Sequence, residues 1–174
     1  RLTDVTGVQT CALPISDKWQ VELFQYIQDQ LEAGELIVRV AVKSGHGIGK
    51  SAGSSMLTDW GMSTMVGTRG IITANTERQL RTKTWVELAK WRRLSITKEL
   101  FKLKATSMYS TDVSLASEWR FDQAPWSERN TEAFAGLHNK GKRLLLIMDE
   151  ASAIADIVFE VAEGALTEIG RAHV

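Results

Sequence analysis

The stretch "RVAVKSGHGIGKSAGSS" (residues 39–55) sets an apolar run against three alternating glycines, a lysine–serine pair and a string of small residues. Its centre, "SGHGIGKS" (44–51), follows the pattern GxxxxGK[ST] except at the first position, where Ser44 replaces glycine. That pattern describes a turn whose successive backbone N–H groups surround a chain of phosphates. Gly45, Gly47 and Gly49 can adopt the positive φ values that turn the amides inward, and they keep side chains out of the way. Lys50 supplies a point charge for the outer phosphates, and the Ser51 hydroxyl is a hard ligand suited to Mg²⁺. A glycine turn alone also serves hairpins and helix caps. The flanks decide the matter. "LIVRVAV" (36–42) reads as a buried strand and "KSAGSSMLTDWGM" (50–62) as a helix start, giving the order strand, loop, helix N-terminus that an anion site needs.

A second stretch completes the reading. In "LLLIMDEAS" (144–152), five apolar residues predict a strand buried on both faces, with Asp149 and Glu150 where it ends. In an open parallel sheet, ligands sit at that carboxyl edge. Neighbouring strand residues point in opposite directions, so the two acids can do different work. Asp149 is read as holding Mg²⁺ beside Ser51, and Glu150 as the base that orients and deprotonates the water attacking the γ phosphate. Taken alone, the pair also fits a helix cap with a favourable dipole partner. Together with the loop, two independent signals describe one Mg-ATP site.

Around these motifs the pattern alternates. "DKWQVELFQYIQDQLEAG" (17–34) predicts a helix capped by Asp17 and stopped at Gly34. After the glycine loop come a strand at 69–75 and a helix at 76–94, with Thr76 as cap and Gln79 three residues on. Two strand-like pieces, 103–110 and 114–121, suit a hairpin; 122–142 reads mostly as loop; and a strand-to-helix unit runs to residue 166. The alternation predicts an α/β fold with a mainly parallel sheet flanked by helices.

Composition sets the outer bounds. The 174 residues, 44% apolar and 24% charged, suit one domain with a real core. No apolar run approaches the roughly 18–20 residues of a membrane helix. Cys11 stands alone, which excludes a disulfide framework and a cysteine zinc cluster. Net charge is zero, yet from Arg78 to Lys104 nine Lys or Arg face only Glu87 and Glu99. That excess suits a DNA phosphate backbone or a solvated helix face. Of Trp85 and Trp91 in the same helix, at least one belongs to the core. The ends differ in character. "DVTGVQTCALPIS" (4–16) and "EIGRAHV" (168–174) resemble a translated sequencing-adapter oligonucleotide, one strand at each end. Segments 1–16 and 168–174 are therefore expected to be non-native and to add nothing to the core, leaving 17–167 as a truncated domain.

Residues 17–167 resemble the amino-terminal ATPase domain of phage terminase large subunits, the motors that package DNA. The resemblance rests on "WQ" (19–20), "SGHGIGKS" (44–51), "ITANTERQLRTKTWVEL" (72–88), "AFAGLH" (133–138) and "LLLIMDEAS" (144–152). It implies a RecA/ASCE-like P-loop NTPase fold, here incomplete, with ATP and Mg²⁺ held by the loop residues Ser44, Gly45, His46, Gly47, Ile48, Gly49, Lys50 and Ser51 together with Asp149. Lys50, Glu150 and His46 are its catalytic set. That family also lacks the first loop glycine, as Ser44 does here, but often carries arginine where this chain has His46. The resemblance gives Trp19 and Gln20 an adenine-binding role: the Gln amide matches the N6/N7 edge and the indole covers the ring. Helical spacing accounts for Trp19 equally well. The implied partners are double-stranded DNA, a portal protein, a small terminase subunit and further copies in a ring, in the host cytoplasm and without a membrane. The family's coupling strand and nuclease domain have no counterpart in these residues. A helicase-type ATPase, or a non-catalytic nucleotide-binding or assembly module, remain the alternatives; Glu150 speaks against the latter.

The histidine in the loop has a measurable consequence. A neutral imidazole stabilises charge on a transferring phosphoryl group far less than a fixed cation does. The isolated chain should therefore bind Mg-ATP but release phosphate well below the roughly 1–100 s⁻¹ of efficient phosphoryl-transfer enzymes. His46→Arg should raise the steady-state rate. Brisk turnover by the unaltered chain would contradict this reading.

Overall fold

The computed structural model describes residues 16–43, 45, 47–125 and 141–171. Ser44, His46 and the 133–138 segment lie outside the described residues. Helix α1 (Lys18–Glu32) is followed by α2 (Lys50–Ser63), β1 (Arg69–Ala74), the short α3 (Glu77–Gln79), a π-helical turn (Leu80–Thr84) and α4 (Trp85–Leu94). Then come β2 (Phe101–Leu103), β3 (Ser107–Ser110), β4 (Arg120–Gln123), β5 (Leu144–Asp149) and α5 (Asp156–Arg171). The start of α1 is set where expected: the Asp17 N–H donates to Gln20 Oε1 at 2.9 Å, one half of a capping box. At its other end Gly34 has φ +86°, the left-handed stop that glycine makes cheaply. Thr76 caps the next helix by accepting from the Gln79 N–H at 3.1 Å. Helix α5 continues to Arg171, beyond the helix end expected at residue 166.

Among the described residues the strands form one sheet in the order β2-β3-β4-β1-β5. β1 pairs in parallel with both β4 and β5, whereas β2–β3 and β3–β4 are antiparallel. The expected mainly parallel sheet is thus corrected to a mixed one. The reason is connection length: residues 104–106 and 111–119 are too short for the helical crossover that a parallel neighbour requires. The expected hairpin partner at 114–121 shifts for a local reason. Asp112 Oδ1 accepts from both the N–H and the hydroxyl of Ser114, at 2.9 and 2.6 Å, winding that stretch into turns, and the strand begins only at Arg120.

The strand expected at 36–42 does not form. The segment has no regular secondary structure and lies outside the sheet, with Leu36, Val40 and Val42 exposed. An apolar run becomes a strand only where a partner offers its unpaired N–H and C=O groups. Residues 36–42 pair with none of the described strands, although β5 stands at the end of the sheet with one side unpaired among the described residues. A solvent-exposed ion pair across 3.3 Å joins its Arg39 Nε to Glu163 of α5.

The period-2 alternation of β1 and β5 builds a core on each face of the sheet. On one face Ile72, Ala74 and Ile147 meet Met62 of α2, Leu80, and Trp85 and Leu88 of α4, joined by Phe101, Met108, Trp119 and Phe121. On the other, Ile71, Leu144, Leu146 and Met148 pack against Ile154 and against Val158 and Val161 of α5. Helix α1 reaches this body through Phe24, which packs on Met56, Leu57 and Trp60 of α2. A buried ion pair fastens α2 to α4: Arg92 Nη1 donates to Asp59, Arg92 also binds Thr97, and its guanidinium lies 4.9 Å from the Phe101 ring. Arg92 is 4% exposed, so it is a core cation and not part of the basic surface counted from the sequence. At the start of β5, Arg143 donates to the Gly61 carbonyl at 2.9 Å and stacks 4.6 Å from the Trp60 ring. Burial lowers the pKa of its guanidinium from the usual arginine value.

Gly70 is where the sheet is tightest. A Cβ there would lie 2.5 Å from the Phe121 ring and 2.6 Å from the Leu145 carbonyl oxygen, a backbone atom that cannot step aside. Gly70→Ala is expected to destabilise the fold by about 3 kcal/mol, at the upper end of overpacking costs. Gly164→Ala, whose Cβ would meet nothing within 4 Å in α5, should be neutral or gain up to about 1 kcal/mol. Urea denaturation of the two variants beside the parent checks both.

Candidate functional site

The glycine loop is shaped by its own sequence and braced from below by α1. Gly47 and Gly49 have φ +79° and +82°, conformations that a Cβ disfavours. Gly49 is the N-cap of α2, and Lys50 is the first helical residue. Trp19 Nε1 donates to the Ile48 carbonyl at 3.2 Å, and Gln20 Nε2 to the Gly49 carbonyl at 2.9 Å. Across a trans peptide the N–H points opposite to the C=O. Drawing those two carbonyls towards α1 therefore turns the Gly49 and Lys50 amides away from it. A Cβ at Gly53 would lie 3.4 Å from Gln20 and 3.6 Å from Trp19, so the small residue permits the approach of α1 to α2. Lys50 Nζ donates to the Gly45 carbonyl at 2.7 Å, closing the loop on itself. The backbone amides of the first turn of α2 and its macrodipole make this end of the helix electropositive.

β5 brings the acids. Asp149 is its last residue, level with Ala74 of β1 in the parallel register. Glu150 follows with φ +53° and ψ +45°, the described non-glycine residue in the left-handed region. Such strain collects at functional turns. Here it ends the strand and separates the two carboxylates: Asp149 is half-buried and Glu150 exposed. One open pocket of about 220 Å³ is lined by Gly47, Gly49, Lys50, Ser51, Glu87, Asp149 and Glu150. The two motifs, about 100 positions apart in sequence, thus meet in a single concavity.

The structure adds two residues that sequence reasoning did not assign to the site. Thr84 Oγ1 donates to Asp149 Oδ2 at 2.6 Å. Glu87 lines the pocket, its Oε1 accepting from Trp91 Nε1 at 2.6 Å and from Lys90 at 3.2 Å. Their spacing of three puts them on one helix face, which is legible; the direction of that face is not. Trp19 and Gln20 stand next to the loop as braces. Gln20 is 3% exposed, its amide oxygen on the Asp17 N–H and its nitrogen on the Gly49 carbonyl. Of the tryptophans in α4, Trp85 is core, 5% exposed and stacked on Phe121. The cations Arg78, Arg81, Lys83, Lys90, Arg93, Lys98, Lys102 and Lys104 are all exposed.

The donor set at the pocket is hydroxyl and carboxylate oxygen, the hard chemistry Mg²⁺ prefers. Among the described residues no three His, Cys, Asp or Glu side chains gather into a metal cage.

No protein-family model matches the chain, and no solved structure does. The chain is 33% identical over 132 residues to a protein of Enterobacteria phage P7 described as "Probable terminase, large subunit". The match covers 73% of this chain and 26% of that protein, so the chain spans about a quarter of the length of the curated relative it matches. Across most of its own length, then, this α/β chain is similar to the large subunit of a phage terminase.

Proposed function

We propose that this chain is the ATP-hydrolysing domain of a motor that packages double-stranded DNA into a phage capsid, built as a P-loop NTPase of the RecA/ASCE-like type. The observation that carries the reading is the meeting of Lys50 and Ser51, at a helix N-terminus, with Asp149 and Glu150, at a strand end, in one pocket. The similarity to a phage terminase large subunit supplies the biological setting.

The triphosphate lies along the loop, its charge met by the Gly49 and Lys50 amides, the α2 dipole and the Lys50 ammonium. Ser51 and Asp149 are the residues that would hold Mg²⁺, which when bound would offset phosphate charge. Glu150, exposed at the mouth of the pocket, accepts a proton from a water whose oxygen attacks the γ phosphorus. The bond to the β–γ bridging oxygen breaks, giving ADP and inorganic phosphate. Trp19 and Gln20 keep the loop in register from below. The exposed cations of α3, α4 and the β2–β3 region form a surface for DNA phosphates. Portal protein, small terminase subunit and sister copies in a ring are the remaining partners of this reading, acting in the host cytoplasm. No described helix is long and apolar enough to cross a membrane.

Lys50 meets ground-state phosphates, whereas Glu150 acts on the water in the transition state. Lys50→Ala should abolish ATP binding by calorimetry. Glu150→Gln should retain nearly full affinity and lose about 10²–10⁴-fold in phosphate release. Equal loss of affinity in both variants would overturn the assigned roles.

A further inference from the structure

Six hydroxyl side chains in the helical segments behave in one way. Ser54, Ser55, Thr58, Ser63, Thr64 and Thr82 each donate to the carbonyl four residues back, at 3.1, 2.7, 2.8, 2.5, 2.8 and 2.7 Å respectively. That is the ordinary fate of a helical Ser or Thr. Thr84 departs from it. Although 1% exposed, it directs its Oγ1 across the fold to Asp149 Oδ2, 65 residues later in sequence, at 2.6 Å.

The cause is the π-helical turn at Leu80–Thr84. The Trp85 N–H reaches back five residues to the Leu80 carbonyl, which accommodates one extra residue within the helix. One residue is worth about 100° of rotation in an α-helix. The turn therefore re-aims the helix that follows, and Thr84 faces the carboxyl end of β5. Such single-turn insertions are frequently found at functional sites. Glu87, three residues on, lines the same pocket.

A charge-assisted O–H···O⁻ bond of this length fixes the plane of the carboxylate, and it leaves Oδ1 as the oxygen free to serve the pocket. We propose that Thr84 is a positioning residue for Asp149: presented by the π-helical turn, its hydroxyl orients the carboxylate that takes Mg²⁺, and so sets the affinity for the cation that accompanies the nucleotide. This rests on the phosphate-site reading above.

The test is a Mg²⁺ titration of ATP binding by calorimetry on the full chain, with affinity in EDTA as the reference for each variant. Thr84→Val, nearly isosteric but without the hydroxyl, should raise the Mg²⁺ midpoint by about 10–100-fold, the usual cost of removing a group that orients a metal ligand. Thr84→Ser, which keeps the hydroxyl, should restore a midpoint close to the parent's. A purely structural role would move the melting temperature without moving that midpoint. Should Thr84→Val fail to fold by circular dichroism, Thr84→Ala takes its place; loss of fold in both would make Thr84 a packing residue and overturn the proposal. A parent-like midpoint in a folded variant, with ATP binding still lost in Lys50→Ala, overturns this inference alone. Absence of ATP binding by the parent, or parent-like affinity in Lys50→Ala, removes the phosphate-site reading itself.

Discussion

The parallel pairing of β1 with β5 is the constraint on which the rest of the molecule depends. Its register, from Arg69 opposite Leu144 to Ala74 opposite Asp149, aligns the carboxyl ends of two strands that sequence separates by 69 intervening residues. From that alignment both functional consequences follow. Asp149 comes to rest at the edge where the helical segment after β1 begins, so Thr84 of the π-helical turn can reach it. The alternate residues of both strands also form two apolar faces, one for α2 and α4 and one for α5. The close approach at Gly70 is part of the same constraint, because its missing side chain lets Phe121 and Leu145 come in from either side.

The glycine loop is held differently, by contacts with α1 and not by strand pairing. Its fixed points are the left-handed glycines, the start of α2, and the two α1 side chains bonded to the Ile48 and Gly49 carbonyls. Gln20 does two jobs with one amide, closing the cap of α1 and bracing the loop. Bonding the Ile48 and Gly49 carbonyls in advance has a physical advantage: amides already turned away from α1 need less reordering to meet an anion, so less binding energy is spent on ordering. The buried Arg92–Asp59 pair serves the same end at longer range. It locks α2, whose start carries Lys50 and Ser51, to α4, which carries Glu87. Uncompensated burial of either charge would be costly, so the two helices hold one relative position.

The two acids of the pocket differ in solvent exposure. Asp149 is half-buried and hydrogen-bonded, suited to a fixed position; Glu150, one residue later in a left-handed turn, is exposed and unconfined by the strand. Adjacent residues acquire different environments because the strand ends between them. The exposed basic side chains are carried by α3, the π-helical turn, α4 and the first hairpin, with Lys90 bonded to Glu87 beside the pocket. A total charge of zero hid that clustering, and only the running order of Lys and Arg revealed it.

Local chemistry in the sequence determined much of this. Glycines at fixed offsets before Lys50, the Asp17 and Thr76 caps, the stop at Gly34 and the apolar run ending at Asp149 each act over a few residues, and each element stands close to its expected place. Features that depend on partners far away in sequence were decided only by the tertiary structure. Residues 36–42 have strand-like composition but lie outside the sheet, because pairing needs a neighbour and composition cannot supply one. The sheet is mixed because short turns after β2 and β3 reverse the chain, which periodicity does not record. Arg92 reads as a surface cation until Asp59 and Phe101 enclose it. Thr84 and Glu87 had a shared helix face in the sequence, but only a π-helical turn held by the packed core aims that face at Asp149. Short-range preference is written in the order of residues; long-range direction is the sum of many packed contacts, and it exists only once the chain has folded.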